Sequence, residues 1–158
     1  VLRAPGAKWV PAAMLTIADL RVKDGQKGEA IKVYENLRNI HPDSDEAKVA
    51  LAREAAVRME LLNEHAYNRF RCQDTIGFMK MALRTCRPED AEAIQGYLTS
   101  AQELIAEEAW RATKFYDSTT RTKRSAVSAY ERFLADYPLS AHADEARARL
   151  GELKGESE

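Results

Sequence analysis

Cysteine, glycine, proline and histidine are scarce in this chain, at two, seven, five and three among 158 residues. No Cys-x2-Cys or His-x3-His pair occurs, so a zinc site lacks its usual ligand spacing. No glycine-rich phosphate cradle is present, since Gly25 and Gly28 flank only an expected helix–helix turn. Apolar runs fall short of the roughly 18 to 20 residues that span a bilayer. Neither sign of charge dominates: 24 basic against 25 acidic side chains leave a net charge of −1. Such a balance supplies no field that would draw the chain to nucleic acid or an anionic membrane. Strand-like runs of Val, Ile, Thr and aromatic residues are missing too.

What the chain has is alanine, charge and a helical period. Charged residues make up 31% and apolar ones 45%, interspersed along the whole length, which suits a folded, soluble protein. Apolar residues recur at steps of three and four. The spacing predicts a helix over about 11–23 with Met14, Ile17, Ala18 and Arg21 on one side, stopped by Asp24-Gly25. A second helix, about 26–40, buries Ala30, Val33, Tyr34 and Leu37 and ends at His41-Pro42. Asp43 or Ser44 caps a third, with Glu46 completing a capping box with Asp43, and this helix fades near His65. A fourth, about 72–85, presents Ile76, Met79 and Leu83. The fifth, about 88–117, opens on Pro-Glu-Asp and keeps Ile94, Leu98, Ala101, Ile105, Ala109, Ala112 and Tyr116 in a heptad-like stripe. At about 1.5 Å per residue it exceeds roughly 40 Å, a length that joins two packing units. Ser118-Thr119-Thr120 breaks it, and further helices are expected over about 121–136 and 141–153.

An internal repeat fixes the architecture. Residues 27–44 slide onto 123–140 with identities at Lys27/Lys123, Ala30/Ala126, Tyr34/Tyr130, Glu35/Glu131, Pro42/Pro138 and Ser44/Ser140. Ile31/Val127, Leu37/Phe133 and His41/Tyr137 are close in kind. Allowing three extra residues, Asp144-Glu145-Ala146 matches Asp45-Glu46-Ala47. A small Ala lets two helices approach, an aromatic one turn later fills the gap, a large apolar residue follows, and Pro closes the helix. The motif residues Ala30, Tyr34, Leu37 and Pro42, and Ala126, Tyr130, Phe133 and Pro138, thus form the spacing of a tetratricopeptide second helix. The 72–88 stretch is a degenerate copy with Ile76 in the Ala position and Lys80 in the aromatic one. The competing account is an irregular bundle with a chance match. The repeat predicts an all-α tetratricopeptide-like stack of antiparallel helix hairpins, about seven helices in a right-handed superhelix. It is expected to form a single repeat domain over 1–158, with 1–10 and 154–158 frayed.

Catalytic chemistry finds little footing. His41 takes the place of Tyr137 in the other copy and reads as packing; His65 and His142 lack partners at metal spacing. No nucleophile motif surrounds any Ser or Cys, and Glu107 and Glu108 face different directions on a helix. Cys72 and Cys86 stand about 21 Å apart on a continuous helix, too far to pair, and read as small apolar residues. Arg69 and Arg71, and Arg121, Lys123 and Arg124, form basic clusters. Nearby acids balance them into a solvated face, with an acidic peptide or phosphate as the alternative. Trp110, Phe115 and Tyr116 read as core, with one exposed member as a partner anchor. No catalytic, cofactor-binding or metal-binding residue is assigned, no cofactor is expected, and no residue is assigned to partner binding.

The stretch Ile105-Ala-Glu-Glu-Ala-Trp-Arg-Ala-Thr-Lys-Phe-Tyr116, followed by Ala126-x3-Tyr130-x2-Phe133-x3-Tyr137-Pro138, resembles the BamD-like outer-membrane assembly lipoproteins. The resemblance spans about 12–153. It implies a non-catalytic scaffold in outer-membrane β-barrel protein assembly, at the periplasmic face of the outer membrane. Its partners would be proteins or peptides, among them β-barrel assembly factors, with no nucleic acid. Membrane attachment would come only through a lipid anchor outside this sequence, because the chain opens at Val1 without a leader and reads as an excised or mature segment. The alternatives are another periplasmic tetratricopeptide adaptor in envelope growth, or a cytoplasmic tetratricopeptide module regulating an enzyme.

Overall fold

A computed structural model describes residues 8–119 and 123–155. Among the described residues there are seven helices and no strand: α1 (Val10–Lys23), α2 (Lys27–Ile40), α3 (Asp45–Glu64), α4 (Arg69–Thr85), α5 (Pro88–Thr119), α6 (Lys123–Asp136) and α7 (Ala143–Gly155). The all-α hairpin stack is therefore as expected. The helices cluster into two compact units, one running to Ala101 and the other from Gln102, so the boundary falls inside α5. Val10 opens α1, and Lys154 and Gly155 lie in the last turn of α7. α5 continues through Ser118 and Thr119, two of the three residues expected to break it, while Thr120, the helix start expected at Arg121 and the ends 1–7 and 156–158 lie outside the described residues.

Local chemistry accounts for the helix ends. α1 stops where Gly25 turns to φ +75, a backbone state that costs other residues about 1 kcal/mol or more. Gly25 and Gln26 amides then close on the Val22 and Arg21 carbonyls. Ser44 alone caps α3, its hydroxyl accepting from the Ala47 amide at 3.1 Å. With Ser44 as cap, the third helical position is Ala47, so the expected Asp43–Glu46 box does not form. Asn68 caps α4 in the same way through the Arg71 amide, three residues before the expected start.

In the first unit, α1, α2 and α3 share a core of Ala18, Ala30, Tyr34, Leu37, Ala50 and Val57, with Met14, Leu15 and Val22 packed against it. Ala18, Ala30 and Ala50 are fully buried, and their small side chains allow the three helices to approach closely. The packed face of α1 is Met14, Leu15, Ala18 and Val22; Ile17 and Arg21 are exposed, since at about 100° per residue they lie one step off that face. The buried face of α4 is likewise one residue earlier than the periodicity suggested. Thr75, Met79 and Ala82 are buried, whereas Ile76 and Leu83 are half-buried and Lys80 is exposed. Thr75-x3-Met79-x2-Ala82 repeats the spacing of Ala30-x3-Tyr34-x2-Leu37, so the degenerate copy keeps the burial rhythm with different residues.

The second unit packs Trp110, Ala126, Tyr130, Phe133, Ala146 and Leu153 with Leu134, Tyr137 and Leu150. Every one of Ala30/Ala126, Tyr34/Tyr130, Leu37/Phe133, Ala50/Ala146 and Val57/Leu153 is separated by 96 residues. The shift therefore continues unbroken into α7, and Ala146 corresponds to Ala50. The three-residue insertion placed before Asp144 is an artefact of a helix repeating its pattern after nearly one turn. On α5 the stripe of Ile94, Leu98, Ala101 and Ile105 is buried, but Ala112 and Tyr116 are exposed. Beyond Ile105 the buried positions become Ala106, Trp110 and Thr113.

One polar device recurs in both units. The Tyr34 hydroxyl donates to Asp19 Oδ1 at 2.7 Å, and Arg53 pairs with the same carboxylate. In the second copy Tyr130 donates to Asp117 Oδ2 at 3.0 Å, and Arg149 bonds that carboxylate at 2.9 and 3.3 Å. Three successive helices thus meet on one aspartate. Burial, reinforced by the bond to Asp117, pushes the Tyr130 phenol up to about 12 from 10.0. The Arg149 guanidinium, aided by Tyr130, holds the Asp117 carboxyl below its ordinary 3.8.

A second device is present in the first unit only. Glu54 is fully buried, and accepts from Arg38 at 2.7 and 3.0 Å and from Arg58 at 2.8 Å. Both guanidinium groups lie over the Phe78 ring, at 5.4 and 4.5 Å from its centroid. Burial pushes the Glu54 carboxyl above the ordinary range, against the pull of the two arginines. At the same 96-residue shift, Leu134 and Leu150 replace Arg38 and Glu54, while Glu131–Lys154 at 2.8 Å mirrors Glu35–Arg58 at 2.7 Å.

Three outcomes follow for stability, each read by chemical denaturation. Tyr130→Ala costs about 3 to 5 kcal/mol by analogy with buried aromatic truncations, and Tyr130→Phe about 1.5 kcal/mol for the bond to a charged acceptor alone. Glu54→Leu costs roughly 3 kcal/mol or more by stranding its arginines, and Arg38→Leu with Glu54→Leu recovers most of it, as buried pairs exchanged for apolar ones do. The pH limbs follow from linkage. Tyr130, raised on folding, stabilises fully below about pH 10 and loses that contribution as pH rises through about 12. Asp117, lowered on folding, stabilises above about pH 3.8 and loses its contribution as pH falls through its folded value. The stability gap between the wild type and Asp117→Asn therefore closes in acid; a gap independent of pH would refute the pairing.

Candidate functional site

The repeat-motif residues divide by role. Ala30, Tyr34, Leu37, Ala126, Tyr130 and Phe133 are buried, whereas Pro42 and Pro138 are exposed in the turns after α2 and α6. These residues hold helices together and leave binding to other side chains. His41 occupies the turn position of Tyr137 and is half-buried, with Nε2 lacking a hydrogen-bond partner. His142 lies flat on Trp110, with ring centroids 5.0 Å apart and planes at 9°, and its Nε2 meets Glu107 Oε2 at 2.6 Å. That contact draws the Glu107 carboxyl below its ordinary value. Trp110 also contacts Tyr130 edge-on at 5.9 Å and Phe133 at 5.2 Å. Phe115 and Tyr116 stand outside this cluster and are exposed. The expected aromatic core therefore holds only Trp110 of the three.

Cys72 is buried, and burial pushes its thiol above the ordinary range. Cys86 follows α4 with its Sγ near the Leu83 carbonyl, and neither cysteine is paired. Among the described residues no group of three or more His, Cys, Asp or Glu gathers to hold a metal ion. No described helix is long and apolar enough to cross a membrane.

The site that remains is a groove in the first unit. α3 contributes Val49, Ala52, Arg53 and Ala56, a stripe at steps of three, four and seven along one face. Arg87 and the α5 residues Asp90, Ala93, Ile94 and Tyr97 form the facing stripe, with the same steps. The groove encloses about 330 Å³, near the lower end of ligand-sized clefts. Ile94 is its buried residue, and Ala52, Ala56 and Ala93 add little side-chain bulk to its lining. Polar groups line the rim: Arg53 is oriented by Asp19, and Arg87 is held by Asp90 at 2.7 and 3.1 Å. Tyr97 is half-buried. The arrangement suits an apolar side chain gripped within a polar rim. Arg53, Arg87 and Tyr97 carry no mark in the sequence pattern, and Asp90 reads there only as part of a helix start. For Arg53 the signal is a second periodic stripe on α3, with Val49, Ala52 and Ala56, beside the buried one.

A family model described as tetratricopeptide repeat matches residues 12–44, the span of α1, α2 and the turn that ends at the Ser44 cap. No curated protein matches the chain. The chain thus carries a tetratricopeptide repeat over residues 12–44, and its described helices form an all-α, tetratricopeptide-like stack of helix hairpins.

Proposed function

We propose that this chain is a non-catalytic protein-interaction scaffold whose α3–α5 groove receives a segment of a partner protein. The observation that carries this reading is the groove itself, with two facing helix stripes at matched spacing, three alanines in its lining and arginines held by Asp19 and Asp90. Tetratricopeptide repeats generally bind protein or peptide partners, and the groove gives that habit a place here. More finely, the chain acts as a BamD-like lipoprotein component of outer-membrane β-barrel protein assembly. It works at the periplasmic face of that membrane, anchored by a lipid outside this sequence. Support for the finer reading comes from the Ile105–Tyr116 stretch and the Tyr137-Pro138 turn, which share the BamD-like pattern.

Photo-crosslinking tests both levels. A photoreactive residue at Ala93 or Tyr97 of the full-length protein, in its native cells, is expected to yield adducts with β-barrel assembly factors. Adducts confined to cytoplasmic proteins or to cell-wall enzymes would overturn the finer reading. Ala56→Arg, which fills a half-exposed position of the groove, is expected to lower adduct yield roughly tenfold, equivalent to about 1.4 kcal/mol of binding, with an unchanged melting temperature. Undiminished crosslinking in a folded Ala56→Arg protein would remove the groove from the function.

A further inference from the structure

A second hollow in the first unit shares no lining residue with the groove. It encloses about 310 Å³ where the start of α2, the end of α3 and the start of α4 meet. Ile31, Leu61, Leu62 and Phe70 give it an apolar wall, and Arg71 and Asp74 line its polar side. Phe70 is 78% exposed, a large aromatic ring that contributes little to the core.

The charges around this hollow balance in number, Lys27, Arg58, Arg69 and Arg71 against Glu35, Glu60, Glu64 and Asp74, but they do not pair one to one. Asp74 and Glu35 are held by Arg58 at 3.0 and 2.7 Å, and Glu60 and Glu64 are both held by Lys27. Arg69 and Arg71 flank Phe70, are exposed, and have no carboxylate partner among the described residues. The nearby acids expected to balance these arginines are present, but they bond Arg58 and Lys27 and leave both guanidinium groups without a direct carboxylate partner. Neither arginine helps α4, since cations in a first turn oppose the helix dipole and Asn68 already supplies the cap. Arg69-Phe70-Arg71 is thus an aromatic ring between two free guanidinium groups beside an apolar hollow. Arginine and aromatic side chains dominate binding energy at protein interfaces.

We infer that this corner is a second docking site, for an acidic segment of a partner protein. The segment inserts an apolar side chain against Phe70, Ile31 and Leu61 and sets its carboxylates on Arg69 and Arg71. The site goes beyond the α3–α5 groove and is independent of it.

Amide chemical-shift mapping tests the inference with a short synthetic peptide bearing Glu on one helical face and Leu on the other, and with its Lys-for-Glu counterpart. The acidic peptide is expected to move the amides of Gly28, Ile31, Leu61, Phe70 and Arg71, and the basic one to leave them in place. Arg69→Glu with Arg71→Glu, and separately Phe70→Ala, each weaken the acidic peptide at least tenfold; all three side chains are exposed, and circular dichroism checks that the fold survives. Ala56→Arg leaves this binding unchanged, which separates the corner from the groove. The inference fails if both peptides give the same shifts, if shifts fall on Ala52, Ala93 and Tyr97 instead, or if millimolar acidic peptide moves nothing. Concentration-dependent shifts without peptide would assign the corner to self-association and equally overturn it.

Discussion

A buried phenol must donate a hydrogen bond to an acceptor, and in each unit of this protein the acceptor is an aspartate that an arginine also grips. Tyr34 with Asp19 and Arg53, and Tyr130 with Asp117 and Arg149, each join three helices at one carboxylate. Leaving the hydroxyl unpaired would cost the desolvation of a polar group. A slip of one helix along another therefore breaks the bond and displaces the ring at once. Alanine at the crossing positions makes the approach possible, and the shared aspartate selects one register among the many that alanine would tolerate.

The two copies differ most at Glu54 and Leu150. In the first unit a further helix, α4, lies against α3 and brings Phe78 and Asp74 onto Arg38 and Arg58. The ring faces and the extra carboxylate satisfy the guanidinium groups, which makes a buried Glu54 tolerable. In the second unit Leu134 and Leu150 occupy the equivalent positions, and only the Glu131–Lys154 pair at the edge is retained. One backbone arrangement thus accepts a polar or an apolar filling, provided each filling is internally complete.

Because helix register is held from inside, the outer faces are free to vary, which is where a scaffold carries its specificity. The groove of α3 and α5 and the arginine-flanked Phe70 corner use separate faces of α3. They differ in chemistry as well. The groove's charged rim is paired within the protein, whereas the corner presents guanidinium groups with no direct carboxylate partner among the described residues. Surfaces so unlike each other suit different segments of partner protein.

Sequence alone determined the helical class, the hairpin stops at Gly25, Pro42 and Pro138, and the equivalence of Tyr34 with Tyr130. Each of these depends on neighbours within a few residues, or on an identity that a simple alignment exposes. Tertiary structure decided which side of a helix is buried when two adjacent faces carry similar residues: Thr75 over Ile76, Val22 over Arg21, Trp110 over Tyr116. It also decided the unbroken 96-residue shift into α7, because a helix nearly repeats after three residues and only packing partners distinguish the turns. The aspartates of the two clips stayed hidden, since Asp19 and Asp117 stand at different distances from their tyrosines along the chain. The groove and the Phe70 corner belong to the same class: each is made by residues remote in sequence, and an arginine's freedom depends on where every nearby carboxylate has gone.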